Sequence, residues 1–319
     1  MIPAKQAHRR DSAIPAGWQQ QNNLPPADAE SSTAGPGVEP PGPHGFDTLD
    51  DPSRQIRLCR ISYATDSSVL AVNRETLHLR DVQGRFIALS YNWAGVKLEE
   101  SIRVDGLEVK ITHNLHTQLC RLRSLGCKAL LWIDCLSIHQ SDEVEKSAQV
   151  AMMSQIYLGV QTVYVALDDR TKGTHQDKAE HALIAGTIEE LAGGKHFREL
   201  EWFSDRSQSD PGGLAVEKLL YRVLNTGWWK RVWVVQEIVL APACDILLAS
   251  GFVSWRSFAT AVKRLNACRK ADCCSAFLRR RDPGLEELIH RVSECVVWGS
   301  RGYVYANDVG RFDVDIQPR

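Results

Sequence analysis

The sequence predicts an α/β protein whose central strands are parallel and buried on both faces. Three short apolar segments carry this prediction: residues 86–91 (FIALSY), 130–133 (LLWI) and 163–167 (VYVAL). Continuous apolar runs of this length are typical of parallel strands that helices cover on both sides. After LLWI the chain crosses a polar loop into an amphipathic helix and then reaches VYVAL, so this part is a βαβ crossover.

The helix of this crossover has a recognisable start. Asp142 is placed to accept hydrogen bonds from the first helical amides, and Glu145, three residues later, to reach back as in a capping box. Apolar side chains recur at every fourth position and predict one face against the sheet: Val144, Ala148, Met152 and Ile156.

The other elements follow from shorter patterns. Residues 56–62 and 77–82 predict a hairpin before the sheet, and residues 101–110 predict a second hairpin around Asp105-Gly106. Asn114 opens a helix that Gly126 ends. Further helices are expected at 178–191, 214–224, 254–268 and 284–298, with a loop at 204–213 and a last strand at 245–249.

Composition divides the chain into three parts. Residues 1–50 hold eight of the 13 prolines and few large apolar residues, which predicts a disordered, Pro/Gly-rich leader. The folded domain is expected at 51–250, and a helical C-terminal extension at 251–319.

Charge and hydropathy limit the function classes. A net charge of -1 and a pI near 6.8 give no reason to expect nucleic acid as a partner. No segment approaches the roughly 18 apolar residues of a membrane span, so we expect none and a cytoplasmic location.

The nine cysteines favour reduced thiols, because most of them lie in apolar segments. One cluster, Cys268, Cys273 and Cys274, has His290 downstream but lacks the paired C-x-x-C spacing of a structural zinc site. We therefore predict no metal site.

Polar and aromatic side chains follow two strands that we expect to be neighbours. In open α/β sheets, ligands bind just outside the carboxyl ends of the strands. The candidates for ligand contact are Ser90, Tyr91, Trp93, Asp134, His139 and Gln140. For Asp134 two roles are open, because its carboxylate suits either a ligand hydroxyl or the backbone amides of its own loop.

Residues 227–241 (GWWKRVWVVQEIVLA) are the most aromatic part of the chain. Glu237 follows three tryptophans, and a carboxylate in an aromatic, low-dielectric pocket can stabilise an oxocarbenium-like transition state. Glu237 is therefore the candidate catalytic residue, with Arg231, Trp233 and Gln236 as ligand-binding candidates. Alternatively, Glu237 pairs with Arg231 or Lys230 and the tryptophans belong to the core.

Several enzyme classes lack their motifs in this sequence. It contains no Gly-rich phosphate loop, Walker motif or H-E-x-x-H. Kinase, GTPase and zinc-protease functions are therefore disfavoured, and so is NAD as a redox cofactor.

Three separated segments carry a family resemblance: ALSYNWAG, LLWIDCLSIHQSDEVEKSAQVAMMSQIY and WWKRVWVVQEIVLA. In this order they resemble the heterokaryon incompatibility (HET) domain of filamentous fungi, over about residues 57–250. Ser137 and His139 depart from it, since they stand where the family usually has Cys and Asn.

The resemblance implies a doubly wound, mostly parallel sheet similar to the Toll/interleukin-1 receptor (TIR) and flavodoxin-like arrangement, with extra helices at the C-terminus. It implies a role in non-self recognition, with growth arrest or cell death after fusion of unlike cells. Self-assembly and an unknown partner protein that presents the trigger are expected. Some TIR domains cleave NAD with one glutamate, for which Glu237 is the nearest analogue, so NAD is a possible substrate and no cofactor is expected. A degenerate, inactive family member is the third alternative.

Overall fold

In the computed structural model, the described residues are 46–63, 69–92, 97–167, 175–200, 220–231, 233–271, 273, 289–290 and 292–293. They belong to one compact unit, Pro40–Arg319. Trp93, the expected loop at 204–213 and most of the helices expected at 214–224 and 284–298 lie outside the described residues.

The described strands form one sheet in the order β5-β4-β2-β1-β6-β3-β7-β8-β9. They are β1 (Gln55–Ile61), β2 (Ala71–His78), β3 (Phe86–Ser90), β4 (Leu98–Val104), β5 (Leu107–Thr112), β6 (Leu130–Trp132), β7 (Thr162–Val165), β8 (Cys244–Leu248) and β9 (Gly251–Ser254). The three apolar segments that predicted the sheet are β3, β6 and β7, at its centre.

The sheet is mixed. Strands β6, β3, β7 and β8 are parallel neighbours, and β2 and β4 are also parallel. Antiparallel pairs join β1 to β2 and to β6, β4 to β5, and β8 to β9. The expectation of a mostly parallel, TIR-like sheet is therefore not confirmed, because hairpins extend the parallel centre on both sides.

Seven α-helices are described: α1 (Leu79–Val82), α2 (His113–Ser124), α3 (Asp134–Ser137), α4 (Glu143–Leu158), α5 (His175–Gly193), α6 (Val234–Val239) and α7 (Trp255–Lys270). Two 3-10 turns are described, Phe197–Glu199 and Gly227–Lys230. Of the helices in the described part of the chain, none is both long enough and apolar enough to cross a membrane.

Strand β3 shows how the sheet divides two cores. All five of its residues are buried, and successive side chains point to opposite faces. Phe86 and Ala88 join the core that contains α4, α5 and α7, whereas Ile87 and Leu89 join the core beneath α2. Helices thus cover both faces, as the continuous apolar runs predicted.

Helix α4 begins as predicted and packs differently. Asp142 accepts hydrogen bonds from the amides of Val144 and Glu145, both at 3.0 Å. Val144, however, is 77% exposed, so its assignment to the buried face is wrong. The buried face instead includes the polar Glu145, which does not cap the helix.

Of the two predicted hairpins, the one around Asp105-Gly106 is present as predicted, whereas the first has its second strand at Ala71–His78 and not at 77–82. In the β4–β5 turn, Asp105 and Gly106 both have positive φ (52° and 83°), as a tight two-residue hairpin requires. In the β1–β2 hairpin, the second strand ends at His78, and the residues that follow form α1 instead of a strand.

The ends of the described chain bear on the predicted domain division, which stays a prediction. Leu49, within the predicted leader, is buried. Strand β9, within the predicted C-terminal extension, pairs with β8 at the edge of the sheet.

Candidate functional site

The candidate site lies at the carboxyl ends of β3 and β6. The two strands pair in parallel, with Ala88 opposite Trp132, so Ser90 and Asp134 follow at the same edge of the sheet. The 3-10 turn Gly227–Lys230 and helix α6 bring the tryptophan-rich segment to this edge. The sequence predicted that Ser90 and Asp134 lie at one edge, but it did not predict that the tryptophan-rich segment lies there too.

Glu237 is the centre of a buried hydrogen-bond network. Ser90 Oγ donates to Glu237 Oε2, and Arg231 Nη2 lies 3.1 Å from Oε1. Trp228 Nε1 donates to Ser90 Oγ at 2.7 Å, and the Tyr157 hydroxyl lies near enough to the carboxylate to influence its pKa. We call these five residues the Glu237 network. The expected alternative, a pairing of Glu237 with Arg231, is confirmed.

Burial and charge act on Glu237 in opposite directions. Glu237 is 1% exposed, and this burial is the main cause that raises the pKa of its carboxyl. The Arg231 guanidinium and the Ser90 hydroxyl favour the ionised form, while the negative charge of Asp134 disfavours it. The carboxylates of Glu237 and Asp134 are therefore coupled electrostatically.

Arg231 also connects the network to the end of β3. Its Nη1 donates to the carbonyl oxygen of Tyr91 at 2.9 Å. The Tyr91 hydroxyl donates to Cys135 Sγ at 3.0 Å, and burial together with the charges of Cys135 and Asp134 raises its pKa well above the usual value. Asp134 and Arg231 thus both interact with Tyr91.

A glycine allows the tryptophan-rich segment to approach β3 closely. A Cβ at Gly227 would lie 2.5 Å from Asn92 Nδ2, closer than side chains tolerate. Asn92 is held in turn by Asn114, whose Nδ2 donates to the Asn92 carbonyl oxygen at 2.8 Å. The close contact fixes the turn that carries Trp228.

The three tryptophans of this segment have different environments. Trp228 is fully buried in the Glu237 network. Trp229 packs on Trp255 and Phe258, with ring centroids 6.1 and 5.9 Å away, and so belongs to the core. Trp233, a predicted ligand contact, is 45% exposed. The aromatic cluster expected around Glu237 is therefore only partly formed.

The remaining candidates lie around the loop after β6. Asp134 Oδ1 accepts the Cys135 amide at 2.8 Å, so its expected capping role is present. Gln140 Nε2 donates to the Asp134 carbonyl oxygen at 3.2 Å. Gln236 Nε2 donates to Ser154 Oγ of α4 at 2.5 Å. Their roles in ligand binding remain predictions.

His139 lies beside a second buried ion pair that the sequence did not predict. Arg57 of β1 donates to both carboxylate oxygens of Glu145, at 2.5 and 2.8 Å. The His139 amide donates to Glu145 Oε1 at 2.8 Å, and the His139 ring stacks on Phe46. Glu145 thus anchors the loop, and no short motif reveals its partner 88 residues away.

Tyr157 is the other network residue that sequence reasoning missed. It lies near the end of α4, where the apolar face is interrupted by its hydroxyl. Burial first, and the charge of Glu237 second, raise the pKa of this hydroxyl well above its usual value. Tyr157 therefore stays protonated and neutral beside the Glu237 carboxyl.

Comparisons with known proteins match the part of the chain that contains this site. The model of the family described as Heterokaryon incompatibility protein (HET) matches residues 86–237. The chain is also similar to Heterokaryon incompatibility protein 6, OR allele, of Neurospora crassa, with 28% identity over 238 residues. That alignment covers 64% of this chain and 34% of the relative, so the chain spans about a third of the relative's length. No solved structure matches significantly.

Proposed function

Because the chain carries a HET domain over residues 86–237, we propose that it acts in fungal incompatibility, arresting growth or causing cell death after unlike cells fuse. The observation that carries this proposal is that the matched range includes all of the Glu237 network, from Ser90 to Glu237 itself. The name of the Neurospora crassa relative supports the same role. A cytoplasmic location and a partner protein that presents the trigger are part of the proposal.

The geometry favours assembly over chemistry at Glu237. A catalytic carboxylate must come within hydrogen-bond distance of its substrate. In this structure both carboxylate oxygens of Glu237 already have protein partners, and the residue is 1% exposed. Glu237 therefore holds α6 against β3, and we assign the effector function to self-association.

Trp233 is the contact that we propose for self-association. Its indole is 45% exposed, although it lies one turn before the buried Glu237. Tryptophan is enriched among the residues that dominate protein interfaces, because a large ring buries much apolar area. Leu183 of α5 is similarly exposed, at 50%, and serves as a matched control.

The test is inducible expression of the full chain in Neurospora crassa, with growth rate and viability as readouts. The wild type should arrest growth, Trp233→Ala should relieve the arrest, and Leu183→Ala should not. Light scattering of the purified proteins should show assemblies for the wild type and Leu183→Ala, and a shift toward monomer for Trp233→Ala. If cells that express the wild-type chain, as confirmed by immunoblot, grow normally, the proposal is contradicted and the degenerate alternative is favoured.

One observation favours the alternative function, NAD cleavage. The raised pKa of Glu237, next to Asp134, is typical of carboxyl groups adapted for acid–base chemistry. This alternative requires assembly to open a path to Glu237. It predicts that Glu237→Gln, at unchanged protein levels, abolishes growth arrest together with NAD loss, whereas the assembly proposal predicts that arrest persists.

A further inference from the structure

Three soft metal-binding side chains converge between the end of α5 and the end of α7. His196 Nδ1 lies 3.4 Å from Cys268 Sγ and 3.5 Å from Cys273 Sγ. All three atoms lie within 4.8 Å of one another. Two thiols and an imidazole nitrogen are a ligand set that zinc takes in proteins.

The separations fit one tetrahedral zinc ion. With Zn–S near 2.3 Å and Zn–N near 2.0–2.1 Å, tetrahedral ligation places sulfur and nitrogen about 3.6 Å apart. The two observed sulfur–nitrogen distances are within 0.2 Å of this value. The nitrogen is therefore already at the right distance from each sulfur, and the two sulfurs, which lie within 4.8 Å of each other, need to lie about 3.8 Å apart when the ion is bound.

One ligand lies on a helix, and a second is held by a 3-10 turn. Cys268 lies on the last turn of α7 and is 9% exposed. His196 is fixed by the 3-10 turn after α5, where its amide donates to Glu199 Oε2 at 2.8 Å. Gly194 (φ 115°) lies directly under Arg264 of α7, since a Cβ there would be 2.9 Å from Arg264 Nη1. A glycine at position 194 thus allows Arg264 of α7 to pack against the segment that follows α5.

We propose that His196, Cys268 and Cys273 bind one zinc ion that joins the segment after α5 to the end of α7. Binding displaces a proton from each thiol, so two protons are released, and no redox step is involved. The fourth tetrahedral position is left to water. His196 lies within the matched range 86–237, whereas Cys268 and Cys273 lie beyond it, so the ion joins the HET domain to a segment outside the match.

The sequence pattern did not predict this site because its histidine comes from upstream. Cys268 and Cys273 have the spacing C-x4-C, and the nearest downstream histidine is His290. His196 precedes Cys268 by 72 residues and reaches it only through the packing of α5 and α7. The prediction of no metal site depended on linear spacing alone.

The first test is the metal content of the full chain, purified with a non-metal-binding reductant and without added chelator. Elemental analysis should find about one zinc per chain, as expected for one tetrahedral site. After exchange of zinc for Co²⁺, a thiolate-to-cobalt charge-transfer band should appear in the near-ultraviolet. A chain that takes up neither ion stoichiometrically after dialysis against Zn²⁺ or Co²⁺ would overturn the proposal.

Variants locate the site. Cys268→Ser, Cys273→Ser and His196→Gln should each lose most of the bound zinc and weaken the cobalt band, since each removes one ligand. Cys127→Ser is the matched control, because Cys127 is also a half-buried thiol and belongs to none of the described metal-ligand groups. Zinc retained at wild-type stoichiometry in all three variants, or a Cys268–Cys273 disulfide found by mass spectrometry of the reduced preparation, would refute the assignment.

Discussion

Two buried arginine–glutamate pairs in the described part of the chain differ in how completely they are enclosed. Arg57 and Glu145 join β1 to α4 with side chains only 2% and 4% exposed, through two parallel hydrogen bonds. Arg231 and Glu237 join in a single contact, and the Arg231 side chain is 18% exposed. The first pair lies within the fold, and the second lies at the strand ends, where one partner reaches solvent.

This difference in exposure sets how much free energy is lost when each pair is broken. A fully enclosed charge has no alternative partner when its mate is lost, so breaking the Arg57–Glu145 pair is costly. The Arg231 guanidinium is partly exposed and can be hydrated when Glu237 loses its charge, so breaking this pair costs less free energy. Separating Arg231 from Glu237 should therefore cost less free energy than separating Arg57 from Glu145.

The largest change in the free energy of unfolding is expected from Arg57→Met. This change leaves the Glu145 carboxylate buried without its countercharge and should lower the free energy of unfolding by about 3–5 kcal/mol. Urea denaturation measures the change. The double variant Arg57→Met/Glu145→Met should be more stable than Arg57→Met alone, because it removes the remaining charge. A single variant within about 1 kcal/mol of the wild type would show that the pair is not enclosed as described.

A smaller effect is expected from Glu237→Gln. The amide keeps the shape of the side chain but weakens the hydrogen bonds with Arg231 and Ser90, so we expect a loss of about 1–3 kcal/mol. Glu190→Gln is the control, because Glu190 forms an exposed pair with Lys195 and should change stability by less than about 1 kcal/mol. Equal losses in the two variants would remove the distinction between the network and an ordinary surface pair.

The pH dependence of the free energy of unfolding should reflect the ionisation of the Glu237 carboxyl. Because the folded-state pKa of Glu237 is raised above the usual 4.5, the folded chain keeps a proton that the unfolded chain has lost. The stability of the wild type relative to Glu237→Gln should therefore fall as the pH rises from about 4.5 through the folded-state value. Unfolding curves of both proteins across this range measure it. A relative stability that rises with pH would mean that Arg231 outweighs burial.

The smallest effect on stability is expected from Trp233→Ala. About half of its ring is in water, so the change should cost about 0.5–1 kcal/mol, against about 3–5 kcal/mol for truncation of the buried Trp228. Thermal unfolding of the two variants compares them directly. Similar losses would place Trp233 in the core and remove it as a surface contact.

The grouping of Ser90, Tyr91 and Asp134 followed from the sequence, because apolar blocks identify parallel strands and parallel strands end at one edge. The β4–β5 turn also followed, since Asp-Gly supplies the two positive φ angles. These predictions depend on neighbours in the chain or on one sheet rule.

The missed features depend on contacts between distant segments. Glu145 matches a capping box three residues after Asp142, yet its carboxylate pairs with Arg57 because β1 lies under α4. Tyr157 has the spacing of a core residue, and only the fold brings Glu237 to its hydroxyl. Trp233 differs from its neighbouring tryptophans only by the direction in which α6 turns it. Local patterns contain none of this information.

The most direct test of the assembly account is NAD consumption by the full purified chain at a concentration where light scattering shows assemblies, with Glu237→Gln measured alongside. If Glu237 holds the fold and the effector works by assembly, neither protein should consume NAD beyond a buffer control. NAD cleavage by the wild type that disappears in a folded Glu237→Gln variant would contradict the account and establish Glu237 as catalytic.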